Sequence, residues 1–154
     1  MKKIASFTVD HLNLYPGLYV SRKDQNNGVV VTTFDLRFTR PNFEKCLDGA
    51  SMHTIEHLGA TYLRNSISKD NVVYFGPMGC KTGFYLVMFN DLTSSDVKEL
   101  VCDMLRFIIN FEGDIPGASP EECGNYSYQN LQLAKLDSEK YLHELVTYNR
   151  LNYN

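Results

Sequence analysis

At 154 residues with 44% apolar side chains, the chain can bury a core without staples and favours one domain over residues 1–154. A formal charge of −3 without any Lys/Arg run argues against nucleic acid as a partner. No apolar stretch approaches the roughly 18 residues of a membrane span. In MKKIASFTVDH, moreover, Asp10 and His11 interrupt any signal segment, so a cytoplasmic location is expected.

Residues 6–10, SFTVD, read as a short strand. PGLYVSRKDQNNG carries a second strand into a polar turn ending at Gly28. VVVTTFDLRF (29–38), β-branched and aromatic, is the strongest strand and ends by Pro41. SMHTIEHLGATYLRNS (51–66) reads as a helix, with Met52, Ile55, Gly59, Tyr62 and Leu63 on one face. NVVYF (71–75) and FYLVMFN (84–90) flank the Gly/Pro loop GPMGCKTG (76–83) as a hairpin. Ser94, Ser95 and Asp96 read as the cap of a helix to Phe111, with Val97, Leu100, Val101, Met104, Leu105 and Ile108 inward. GDIPGASPEECGNYSY is a long loop, and a last helix covers Gln129 to Tyr148. Hairpins outnumber crossovers. The expected class is therefore α+β, a two-layer sandwich of mainly antiparallel sheet with helices on one face.

The chemistry concentrates in HTIEH, residues 53–57. On a helix, residues four apart lie about 40° apart around the axis, so His53 and His57 can share one metal. Glu56 can face the same site. Spelled H-x-x-E-H, the stretch is that of the inverted zinc peptidases. The pair alone is as compatible with ordinary helix residues as with a metal, and the third ligand decides. Glu121 and Glu122 lie where a peptidase would supply a glutamate. The adjacent Cys123, followed by Gly124, offers a soft thiolate instead. His143 reads as a surface residue.

Four cysteines in a chain of this kind do not make a disulfide framework. Cys80, between Gly79 and Lys81, sits where backbone allows close approach by a ligand and where a cation favours thiolate. Cys102 reads as helix packing, and Cys46 has no assigned role.

SFTVDH (6–11), FDLRFTRPN (34–42), HTIEHLGA (53–60), GPMGCKTGFYL (76–86) and IPGASPEECGNY (115–126) occur in one order over nearly the whole chain. In this the chain resembles the S-ribosylhomocysteine lyases, the LuxS family. The resemblance implies that His53, His57 and Cys123 hold one divalent metal per subunit, ferrous iron in the cell and zinc as often purified. It implies Glu56 and Cys80 as the acid/base pair, and Ser6, His11, Arg37 and Gly76 near the substrate. A homodimer with active sites at the subunit interface is implied too, as is a fold related to the inverted metallopeptidases. Such an enzyme moves the sugar carbonyl along the ribose, then eliminates homocysteine to leave the autoinducer-2 precursor, 4,5-dihydroxy-2,3-pentanedione. Tyr74, Phe75 and Gly76 stand where a familiar version of the family reads Asp-Ile-Ser.

Overall fold

The computed structural model describes Met1, Ile4 and residues 7–153. β1 (Gly17–Asn26) and β2 (Val29–Arg37) form an antiparallel hairpin. Its turn residues Asn27 and Gly28 have φ of 49° and 82°. A two-residue hairpin turn of the mirror type needs positive φ at both positions, which Asn and Gly tolerate best.

β3 (Val72–Pro77) and β4 (Gly83–Phe89) form the second hairpin, and the sheet runs β1-β2-β4-β3. Period-2 alternation then sorts the side chains. The register aligns Val20 with Phe34, Leu86 and Phe75, and Leu18 with Leu36 and Phe84. These residues join the core on the helical side. The intervening positions put Tyr19, Asp35 and Tyr85 in one row and Gly17, Arg37 and Gly83 in the next, on the face turned away from the helices.

α1 (Gly49–Asn65), α2 (Ser94–Asn110) and α3 (Leu131–Tyr148) cover the apolar face. Ile55 and Leu58 from α1, Val101 and Leu105 from α2, and Tyr141 and Leu145 from α3 are fully buried there. α1 lies close on β3: a Cβ added at Gly59 would stand 2.5 Å from the Phe75 ring. The observed class is thus the expected α+β arrangement. Among the described residues, no helix is long and apolar enough to cross a membrane.

Several boundaries differ from the sequence reading. Residues 7–10 form a turn and not a strand. The Asp10 carboxylate accepts from the Leu12 amide and the Asn13 side chain, a local bonding pattern that draws the chain out of extended conformation. α1 starts at Gly49 because Asp48 accepts from the amides of Ala50 and Ser51. α3 starts at Leu131, behind the Asn130 cap. The cap of α2 is Thr93, in a reciprocal box with Asp96, and Ser94 is already a buried first-turn residue.

Removing an N-cap hydroxyl costs about 1 kcal/mol. Thr93→Ala should therefore lower the unfolding free energy measured by denaturant titration by that amount, and Ser94→Ala by clearly less. A larger loss for Ser94→Ala would put the cap one residue later.

Candidate active site

α1 presents His53, Glu56 and His57, all half-buried. The two imidazole Nε2 atoms lie 3.0 Å apart. Cys123 Sγ lies 3.4 Å from His53 Nε2 and 3.8 Å from His57 Nε2. A tetrahedral ion with bonds of about 2.0–2.3 Å needs ligand separations of roughly 3.3–3.6 Å. The triangle therefore matches a metal site to within a few tenths of an ångström. Among the described residues, these three form the group whose donors converge closely enough to hold an ion.

The other ring nitrogens are fixed by the loop between α2 and α3. His53 Nδ1 is 2.7 Å from the Tyr128 carbonyl, and His57 Nδ1 is 2.8 Å from the Pro116 carbonyl. A carbonyl can only accept, so Nδ1 is the donor in each of these contacts, which frees each Nε2 to turn a lone pair inward to an ion. Two lone pairs at 3.0 Å beside a thiol repel one another unless a cation lies between them. The donor set thus fits a divalent ion of zinc or iron type. Gly117 lets the loop pass this close. Its φ is +71°, and an added Cβ would stand 3.3 Å from His57 Nδ1.

Beside the triangle lies a cleft of about 330 Å³, whose walls include His53 and Glu56 of α1, Gly79 and Lys81 of the β3–β4 loop, and Tyr128. The loop is pinned by hydrogen bonds from the Lys81 amide to the Met78 carbonyl and from the Leu47 amide to the Lys81 carbonyl, 2.9 and 2.8 Å. Lys81 itself adopts φ of 58°, an uncommon conformation for a residue with a Cβ.

Cys80 belongs to this loop, and its thiol meets β2. Sγ lies 3.1 Å from Thr82 Oγ1 and 3.9 Å from Arg37 Nη1. Partial burial opposes a charge on sulfur. Hydrogen bonds from the Thr82 side chain and backbone, joined by the Arg37 cation, outweigh it and hold the thiol below its ordinary pKa. Arg37 is buried against Asp35, with Nη2 2.6 Å from Oδ2, and Nη1 donates to Thr82 Oγ1 at 2.5 Å.

The residues singled out from the sequence therefore fall into two groups. His53, His57 and Cys123 converge, with Glu56 on the adjoining wall. Cys80 and Arg37 converge around Thr82. His11 sits in the N-terminal turn, its Nδ1 2.9 Å from the Val9 carbonyl, and Ser6 lies outside the described residues. Gly76 is buried in β3, beneath the Tyr74 ring, which fills the space a side chain would take. Glu122, the alternative third ligand, is exposed, accepts from the Ser119 hydroxyl at 3.0 Å and stands outside the triangle. Cys102 is buried and Cys46 exposed. The sequence reading missed Thr82 and Asp35. Asp35 had a signal, since two charges at alternate positions of an otherwise apolar strand require a partner.

Comparison with known proteins places residues 4–151 under the family model S-Ribosylhomocysteinase (LuxS). An S-ribosylhomocysteine lyase of Phocaeicola vulgatus is 55% identical over 95% of this chain and 91% of its own length. One from Clostridium beijerinckii is 53% identical over 95% and 92%, and one from Clostridium acetobutylicum 53% over 99% of both chains.

The triangle yields a direct expectation for metal content. Cys123→Ala and His57→Ala should purify with little bound transition metal by elemental analysis, and Glu122→Ala should match the unaltered chain. Metal lost from Glu122→Ala and kept by Cys123→Ala would exchange the two roles.

Proposed function

The chain belongs to the S-ribosylhomocysteinase (LuxS) family, and we propose that it cleaves S-ribosylhomocysteine to homocysteine and 4,5-dihydroxy-2,3-pentanedione, the autoinducer-2 precursor. The observation that carries this reading is the His53–His57–Cys123 triangle bordering a cleft that Glu56 and the Cys80 loop help to wall. It occurs in a chain more than half identical to relatives named for that lyase activity.

The substrate's carbon–sulfur bond is inert until a carbanion forms next to it, and the carbanion needs an adjacent carbonyl. The sugar carbonyl must therefore migrate before elimination. His53, His57 and Cys123 would hold a divalent ion, ferrous iron in the cell with zinc able to replace it, and such an ion would supply Lewis-acid polarisation of the sugar oxygens. The Cys80 thiolate takes protons from carbon. Held below the ordinary thiol pKa by Thr82 and Arg37, it offers a larger share of thiolate as base. Glu56, on the cleft wall beside His53, moves protons between the oxygens. The step that expels the thiolate of homocysteine is a β-elimination and leaves the overall reaction redox-neutral.

Ser6, His11, Arg37 and Gly76 are assigned to substrate contact. The protein acts as one cytoplasmic domain, 1–154, in a homodimer with active sites at the interface. Exposed Phe7 and Leu12 in the N-terminal segment supply apolar surface that such an assembly would cover. The H-x-x-E-H helix on an antiparallel sheet supports kinship with the inverted metallopeptidases, and quorum signalling is the role of the product.

The test is incubation with S-ribosylhomocysteine while free thiol is titrated. The metal-loaded chain should release homocysteine, and release of none would refute the assignment. Cys80→Ala should keep its metal and lose at least about a hundredfold in turnover, as removal of a general base does. Turnover near that of the unaltered chain would leave Cys80 a bystander.

A further inference from the structure

The Asp35–Arg37 pair has a third member that comes from the far end of the chain. Tyr153 donates its hydroxyl to Asp35 Oδ2 at 2.9 Å, the same oxygen that receives Arg37 Nη2 at 2.6 Å. The Tyr153 ring stacks on Tyr19, with centroids 4.6 Å apart and planes 19° apart. Asp35 and Arg37 are 2% and 3% exposed. Arg37 in turn reaches Thr82 Oγ1 and Cys80 Sγ. An unbroken run of contacts therefore leads from the tail to the thiol, through positions 153, 35, 37 and 80. Tyr153 lies beyond the family-matched segment, residues 4–151.

We propose that Tyr153 is a positioning residue for Cys80: its hydroxyl shares the charge of Asp35, and so leaves Arg37 free to stabilise the Cys80 thiolate. The physical argument is one of competition. Arg37 lies between an anion on one side and the sulfur on the other. A hydroxyl donor on Asp35 Oδ2 takes part of the carboxylate's demand. Without that donor, Asp35 draws harder on Arg37 and water gains access to the pair, and both effects weaken the cation's field at sulfur. The phenol suits the task. Burial, reinforced by the neighbouring Asp35 charge, pushes its pKa well up, so it remains a donor. The charged groups around Cys80 are Arg37 on β2, Lys81 on its own loop and Glu56 across the cleft on α1. Of these, Arg37 is the one in hydrogen-bond contact with sulfur among the described residues.

The inference rests on Cys80 as the reaction's base only for its catalytic consequence, so it is tested without turnover. The rate at which iodoacetamide alkylates Cys80, followed by peptide mass spectrometry across pH, gives the thiolate inflection for that site alone. Tyr153→Phe keeps the ring on Tyr19 and removes only the hydroxyl. It should raise the inflection by roughly 0.5 unit, about a threefold loss of thiolate on the acid side. Metal content should not change. Truncation after Asn152 should shift the inflection at least as far. An inflection that stays or falls in folded Tyr153→Phe overturns the proposal, whatever happens to melting temperature. In the lyase assay, the acid limb of kcat/KM should rise with the inflection. If alkylation shifts and the limb does not, Tyr153 still positions Cys80, and the assignment of Cys80 as base is the part that fails.

Discussion

Two imidazoles four residues apart on a helix define one edge of a metal tetrahedron and nothing more. The rest of the site depends on the loop between α2 and α3 returning to supply the other constraints. Cys123 gives the third corner, and the carbonyls of Pro116 and Tyr128 orient His57 and His53. A long irregular loop is normally mobile, so ligand and orienting groups spaced along it tie metal binding to loop order. Bound metal should order the loop, and an ordered loop presents the ligands. The same loop closes one side of the cleft, because Tyr128 both orients His53 and lines the wall.

The sheet divides the work between its faces. On one, Phe34, Leu36, Phe84 and Leu86 anchor the helices and so fix where α1 presents its histidines. On the other, Asp35 and Arg37 alternate with those residues along β2 and are buried with them. A buried ion pair is weak evidence of stabilisation, because desolvation offsets much of the attraction, though breaking one costs about 3–5 kcal/mol. Its geometry suits the proposed function: the pair sets Arg37 against the Cys80 thiol, in a loop that borders the cleft. Arg37 is suited to that position because it stays charged even when buried. Its fork also reaches Asp35 with one nitrogen and the Thr82–Cys80 side with the other.

Much of this could be read from the chain itself. The alternation in VVVTTFDLRF, the helical spacing of HTIEH and the apolar face of α2 encode local structure through side-chain periodicity. Asn-Gly likewise encodes the first hairpin turn. Misreadings arose where composition competed with local hydrogen bonding. SFTVD has the residues of a strand, yet Asp10 bonds to the backbone beyond it and makes a turn. Ser94 ranks at least as well as Thr93 as a cap by type, and only the reciprocal bonds with Asp96 single out Thr93. The choice between Glu122 and Cys123 could not be made from spacing, since neighbours in sequence differ in which way the loop turns them. Least visible was the set formed by Asp35, Thr82 and Tyr153. Its members are far apart in sequence; Asp35 carries a hint in its charge, and Thr82 and Tyr153 each alone read as ordinary loop and tail residues.

On the proposed function, the H-x-x-E-H helix serves a metal site completed by the Cys123 thiolate, with one position left for substrate. X-ray absorption on the metal-loaded chain tests it most directly. With zinc bound, the spectrum should show one sulfur at about 2.3 Å and two nitrogens at about 2.0–2.1 Å with one further light ligand, the last altered when S-ribosylhomocysteine is added. A first sphere of nitrogen and oxygen without sulfur would contradict it, as would a four-coordinate site that substrate leaves unchanged.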